Sequence, residues 1–275
     1  MTSVVSGSLS SFDYLVYMNL NDPTSTSFEL SARGDTPALR FEMRAEGLTV
    51  VPVSGDAFGA ITVDLGSASI ERRVAQGRGG LLAKALLPSA DQPMPLVWDV
   101  TAGLGRDAMT LARLGCEVVA FERHPFLGML LLDGHRRALQ RDDVTGEAAR
   151  RMTVRVEDAG WALARVAEEM PVDDETRRPD AILIDPMFPE GKNKAAVKKE
   201  AVLLRMLVGE GARPHEDEAL LKAALEAARW RVAVKRPLKA PKILDTPPPQ
   251  ATFKGKSVRV DRYACQDRSI PNSRS

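Results

Sequence analysis

The sequence predicts an α/β fold built on a doubly wound, mostly parallel sheet, and three observations point to it. From residue 96 onward, short apolar runs alternate with helical patterns. A glycine turn, DVTAGLGRDA over 99–108, joins the first of those runs to the first helix. After Pro237 the alternation stops, and the segment around FKGKS reads as an antiparallel hairpin. The chain has 275 residues, 44% hydrophobic and 27% charged, which suits one large domain with a small appended lobe.

The elements follow in order. LRFEMR (39–44), LTVVPV (48–53) and AITVDL (60–65) are β-rich runs bounded by Gly, Pro or Asp, and we expect a small N-terminal sheet there. Residues 67–87 read as a helix crossed by the glycines of QGRGG (76–80), and SADQP (89–93) reads as a connector. LVWDV (96–100) is a buried-type strand, 106–114 a helix, EVVAFE (117–122) a strand and 125–140 a helix. MTVRVE (152–157), AILID (181–185) and WRVAVKR (230–236) continue the strands, with helices expected over 159–169, 194–208 and 216–229. No run of eighteen apolar residues occurs, so no membrane span is expected. The start lacks a basic segment followed by a long apolar stretch, so no secretion signal is expected. Cys116 and Cys265 stand outside any CxxC motif, which argues against a disulfide framework and fits a reduced cytoplasm.

The net charge of +1 conceals an asymmetry. Residues 1–191 hold 19 Lys/Arg against 28 Asp/Glu, whereas residues 192–262 hold 17 against 8, a net of +9. A basic block of this strength suggests a polyanionic partner such as nucleic acid, with solvated helix faces as the alternative. Lys198 and Lys199 lie in that block, and Lys235 and Arg236 end the strand WRVAVKR, so these four are the expected RNA contacts. His124, His135 and His215 show no metal-ligand spacing, and no metal is expected.

The glycine turn admits two cofactors. Gly103-x-Gly105-x-x-Ala108 satisfies the loose dinucleotide pattern, which would make the chain an NAD-linked oxidoreductase. Asp99, at the end of the preceding strand, would repel a pyrophosphate but suit a sulfonium or an ammonium group, which favours S-adenosylmethionine. Glu122 ends the next strand, where a carboxylate can accept from both ribose hydroxyls of either cofactor. Glu157 and Asp158 end the third strand, where an acid could accept from an adenine amino group.

AILIDPMFP (181–189) is the most informative segment. Two prolines within four residues keep the chain from entering a helix at once. Asp185, the Pro186 carbonyl and Phe188 should therefore project at the carboxyl end of the strand, an acceptor pair beside an aromatic ring. An exocyclic base amine needs acceptors for its hydrogens and a ring to stack its base. Such acceptors favour pyramidalisation and help the amine lone pair attack a methyl group, by positioning and electrostatics rather than covalent catalysis.

DVTAGLGRDA, the FERHP that follows, AILIDPMFP, KNKAAVKKEAVLLRMLVG and VAVKRP together resemble the small-subunit ribosomal RNA guanine-N2 methyltransferase J family. QGRGGLLAKAL (76–86) is similar to that family's glycine-rich helix, and the resemblance spans about 70–263. It implies a class I methyltransferase Rossmann-like sheet with a final antiparallel strand, preceded by a small N-terminal α/β lobe. We divide the chain accordingly into a lobe over 1–90 and a methyltransferase domain over 91–275. It further implies methyl transfer from S-adenosylmethionine to the N2 of a guanine near the 3′ end of 16S ribosomal RNA, within the small ribosomal subunit. Matching positions imply that Arg106, Asp107, Glu122, Arg123 and Asp185 contact the cofactor. Two positions depart from the pattern. Thr101 stands where class I enzymes usually carry a third glycine, and Asp158–Ala159 stand where the family often has small hydroxyl residues. Transfer to another base amine, such as adenine N6, is the alternative within the same chemistry.

Overall fold

A computed structural model describes residues 3–9, 12–18, 27–32, 35–53, 59–168, 177–186, 214–241, 243 and 248–265. The described chain separates into two compact units, meeting in sequence between Asp64 and Leu65.

The first unit is an antiparallel meander in strand order β1-β2-β3-β4-β5-β6. Its strands are β1 (Ser3–Leu9), β2 (Phe12–Met18), β3 (Ser27–Ala32), β4 (Asp35–Arg44), β5 (Gly47–Pro52) and β6 (Ile61–Thr62). Leu30, Leu39, Phe41, Val50 and Ile61 are buried, and the rings of Phe28 and Phe41 stack 5.0 Å apart across the β3–β4 ladder. The sequence reading found β4 to β6 and missed β1 to β3. SVVSGSL is rich in Ser with a central Gly, so its strand propensity is low without the neighbour it pairs with.

The second unit carries the expected α/β sheet, in strand order β12-β13-β11-β10-β7-β8-β9. These are β7 (Leu96–Asp99), β8 (Glu117–Phe121), β9 (Met152–Arg155), β10 (Ala181–Ile184), β11 (Arg231–Pro237), β12 (Ala251–Lys254) and β13 (Val258–Ala264). β7 to β11 pair in parallel, whereas β13 runs antiparallel to both β11 and β12. LVWD and AILI are almost continuously apolar because both faces of a central parallel strand are covered. Trp98, Phe121, Ile182, Ile184, Val232 and Val234 form one such covered face with Leu163, Leu221 and Tyr263.

The helices are α1 (Ala68–Val74), α2 (Leu81–Leu86), α3 (Arg106–Arg113), α4 (Pro125–Leu139), α5 (Val144–Ala149), α6 (Ala159–Ala167) and α7 (Pro214–Ala227). The single helix expected over 67–87 is two helices. Gly77 at φ +51° ends the first, a 3₁₀ turn spans Gly77–Gly79, and α2 starts after Gly80. Both pack within the second unit, α1 against α3 and α2 against β11 and β13. α5 escaped the sequence reading because it is only six residues long; Asp143 caps it, accepting from the Thr145 and Gly146 N–H groups. The helix expected over 194–208 lies outside the described residues.

The chain leaves β7, builds β8 and β9 on one side, and returns to β10 on the other. That reversal is a topological switch point, and it opens a crevice at the carboxyl ends of β7 and β10.

Candidate active site

The glycine turn stays tied to the sheet as it leaves β7. The Val100 N–H donates to the Leu183 carbonyl at 3.1 Å, and the Ala102 N–H to the Phe121 carbonyl at 2.9 Å. Gly103 at φ +55° and Gly105 at φ +75° then swing the chain into α3, a backbone that L side chains rarely adopt. A Cβ on Gly103 would meet nothing within 4 Å, so that side of the turn stays open to a ligand. On Gly105 a Cβ would fall 2.4 Å from Leu131 Cδ1, the movable end of a side chain, so it is the positive φ that calls for glycine there.

Glu122 stands just beyond β8 and is 7% exposed. Its Oε2 accepts the Gly103 N–H at 2.8 Å and its Oε1 the His124 N–H at 2.7 Å. The carboxylate thus holds the glycine turn in place. About four lone-pair directions exist on a carboxylate, so two remain for hydroxyls of a ligand. Burial raises the Glu122 pKa, and the two backbone N–H groups only partly offset it.

Three carboxylates and two cations meet at the switch point. Lys235, on β11, places its Nζ 2.6 Å from Asp185 Oδ2 and 2.6 Å from Asp107 Oδ2. Arg73, on α1, pairs with the other Asp107 oxygen. Burial acts to raise the Asp107 pKa, but Lys235 and Arg73 outweigh it and hold the acid below the usual range. For Asp185, burial dominates and raises the pKa despite Lys235, with Asp107 adding repulsion; its side chain keeps 37% exposure at the mouth of the crevice. Asp99, 1% exposed, is pushed well above the usual carboxylate range by burial and then by Asp107. A cavity of about 190 Å³ opens beside this cluster, lined by Arg73, Gly80, Leu81, Thr110, Lys235 and Val260 among others.

The Asp185 N–H donates to Thr101 Oγ1 at 2.6 Å, which joins the DPMFP turn to the glycine turn. Pro186, the next residue, is buried.

Of the residues singled out from sequence, Asp99, Glu122 and Asp185 fall at the carboxyl ends of β7, β8 and β10, Gly103 and Gly105 lie in the turn into α3, and Asp107, on α3, lines the cavity. Arg106 opens α3 beside them, half-buried. Arg123 is exposed and pairs with Glu216 of α7 at 3.0 Å. Asp158 caps α6, accepting from the Gly160 N–H at 2.8 Å, which engages one of its oxygens. Lys235 is drawn into the carboxylate cluster instead of facing solvent, and the neighbouring Arg236 is 4% exposed on the opposite face of β11. Phe188, Lys198 and Lys199 lie outside the described residues. The sequence reading did not find the roles of Thr101 and Arg73. Thr101 was visible as the departure from a third glycine, whereas nothing local marks Arg73. Among the described residues, no group of three or more His, Cys, Asp or Glu could hold a metal ion, and no helix is long and apolar enough to cross a membrane.

Comparison with known proteins gives concordant matches. Residues 24–265 match the family described as "Putative SAM-dependent methyltransferase". The chain is 40% identical over 205 residues to a ribosomal RNA small subunit methyltransferase J of Neisseria meningitidis serogroup B, covering 74% of this chain and 76% of the relative. It is 39% identical over 236 residues to the protein of the same name from Pseudomonas aeruginosa, covering 84% of each. Among solved structures, a SAM-dependent methyltransferase from Neisseria gonorrhoeae superposes with a TM-score of 0.63 at 29% identity, covering 89% of this chain and 85% of that one.

Proposed function

The chain belongs to the ribosomal RNA small subunit methyltransferase J family of SAM-dependent methyltransferases, and from that premise we propose that it methylates the exocyclic N2 of a guanine in 16S ribosomal RNA. It is an S-adenosylmethionine-dependent enzyme, not an NAD-linked oxidoreductase. The substrate is the small ribosomal subunit or its RNA, met in the cytoplasm. The supporting observation is the Thr101–Asp185 hydrogen bond, which sets an acceptor-bearing turn against the donor-binding turn.

The residues present fit such a donor. Gly103 leaves its side of the turn open, and Glu122 keeps lone pairs for a ribose diol. When bound, S-adenosylmethionine supplies an electrophilic methyl group; the new N–C bond forms as the C–S bond breaks and its electron pair passes to sulfur.

The chain's own part is positioning. Asp185 and the Pro186 carbonyl accept from the guanine N2 hydrogens and turn the amine lone pair toward the methyl carbon. Phe188 stacks the base. No base is required before attack, because the amine sheds its proton to water after transfer. Exposed lysines of the basic segment, Lys239, Lys254 and Lys256 among them, hold phosphates of the RNA.

Incubation of the purified protein with radiolabelled methyl donor and 30S particles lacking the modification tests this reading. Label at guanine N2, located by mapping the modified base, is expected. Label on an adenine amine would move the activity to the alternative base, and no label on any ribosomal RNA would remove the substrate assignment.

A further inference from the structure

We infer that Lys235 is a positioning residue for the methyl transfer: its ammonium clamps Asp185 to Asp107, favours the ionised form of the Asp185 carboxylate and keeps it aimed at the target amine. The inference rests on the role proposed above for Asp185. Several observations carry it. The β10–β11 ladder ends at Ile184 opposite Val234, so Asp185 and Lys235 are the next residues on adjacent strands. Strand alternation sends Lys235 into the crevice, where both carboxylate contacts are 2.6 Å. An ammonium has three donors, so one N–H remains after these two contacts.

The groups facing Asp185 come from four elements: Lys235 on β11, Asp107 on α3, Arg73 on α1 and Asp99 on β7. Burial and Asp107 oppose ionisation of Asp185, while Lys235 and Arg73 favour it, and Lys235 is the stronger of the two. Lys235 itself remains charged. Burial works against its charge, but Asp185 and Asp107 outweigh burial and raise its pKa. A lysine that merely bound RNA phosphates would not need two carboxylates at hydrogen-bond distance. Arg73 completes the arrangement by occupying the far oxygen of Asp107, which fixes the anchor end of the clamp.

The test is the pH profile of single-turnover methylation, from roughly pH 5.5 to 9, with donor and RNA both saturating. Wild type, K235R, K235M, D107N, K235M/D107N and D185N are compared. The acid limb of K235M is expected to move up by about one pH unit or more, with its rate recovering toward wild type at high pH as Asp185 ionises unaided. K235R, which keeps a cation within reach of both acids, is expected to restore the wild-type limb. K235M leaves two carboxylates facing each other and can fail to fold; K235M/D107N removes that repulsion and is read against D107N alone, relative to which its limb is expected to move up. An unshifted acid limb in whichever of these two variants folds, with D185N still impaired, overturns the role of Lys235 and leaves that of Asp185 standing. A D185N enzyme with wild-type rate overturns both.

Discussion

The Thr101 hydroxyl and the Asp185 backbone, 84 positions apart in sequence, are joined by a 2.6 Å hydrogen bond. Asp185 has left the β10 ladder, so its N–H has no strand partner, and Thr101 supplies the acceptor. The same Thr101 donates its own N–H to Asp99 Oδ1 at 3.3 Å. A glycine at 101 could do only the second of these. This explains why the chain carries a hydroxyl where a third glycine is usual: the two turns that flank the crevice are held as one piece.

Thr101→Val keeps the shape and removes the acceptor. It is expected to destabilise the fold by about 1 kcal/mol, the cost of a part-buried donor left unmatched, and to slow methylation. Thr101→Ser is expected to retain both. Urea unfolding and single-turnover rates check the pair of variants.

Glu122 is expected to make donor binding pH-dependent. Its pKa is raised, chiefly by burial, and only the carboxylate form accepts from hydroxyls on both oxygens. Donor affinity is therefore expected to be full above that raised value and to fall as pH drops through it. Glu122→Gln is expected to weaken S-adenosylmethionine binding by about 1–3 kcal/mol at neutral pH and to remove this pH dependence. Calorimetry at several pH values checks both. The glutamine also loses one of the two backbone contacts to Gly103 and His124, so some loss of stability accompanies it.

The Asp107 pKa is shifted the other way. Its folded pKa lies below the ordinary 3.8, so its ion pairs stabilise the fold fully above that value. The stability gap between wild type and Asp107→Asn is expected to be constant near neutrality and to close as pH falls below 3.8 through the lowered folded value. Urea unfolding across the acid range measures it.

How much of this was legible in the sequence depends on the range of the interaction concerned. The strands β7 to β11 announce themselves, because burial on both faces writes continuous apolar runs. Gly103, Gly105 and Asp185 were legible because turns and proline restrictions are local. The pairing of Lys235 with Asp107 and Asp185 was not, since it joins α3, β10 and β11 and needs the strand order to be known. Arg236 misled the charge argument for a related reason: net charge counts residues and is blind to the alternation that buries one and turns the next into the crevice. β1 to β3 were missed because their stability comes from pairing with each other.

RNA binding is expected to depend steeply on salt, from the net +9 of residues 192–262. Lys239, Lys254 and Lys256 are exposed members of that block. Lys198→Ala with Lys199→Ala is expected to flatten the salt slope without altering donor affinity. Fluorescence anisotropy with a 16S fragment over a salt series measures it, and a flat response in the parent protein would remove the basic segment from the interface.

The most direct measurement is the single-turnover methylation rate of Asp185→Asn with the donor saturating. The amide keeps the side-chain shape and one acceptor oxygen but removes the charge that Lys235 pairs with, while the Thr101 bond to the backbone is untouched. The account predicts a loss of about 10²-fold or more, the scale of one preorganised electrostatic contact, with any fall in donor affinity measured apart by calorimetry. A wild-type rate under those conditions would contradict it and reduce the DPMFP turn to a scaffold.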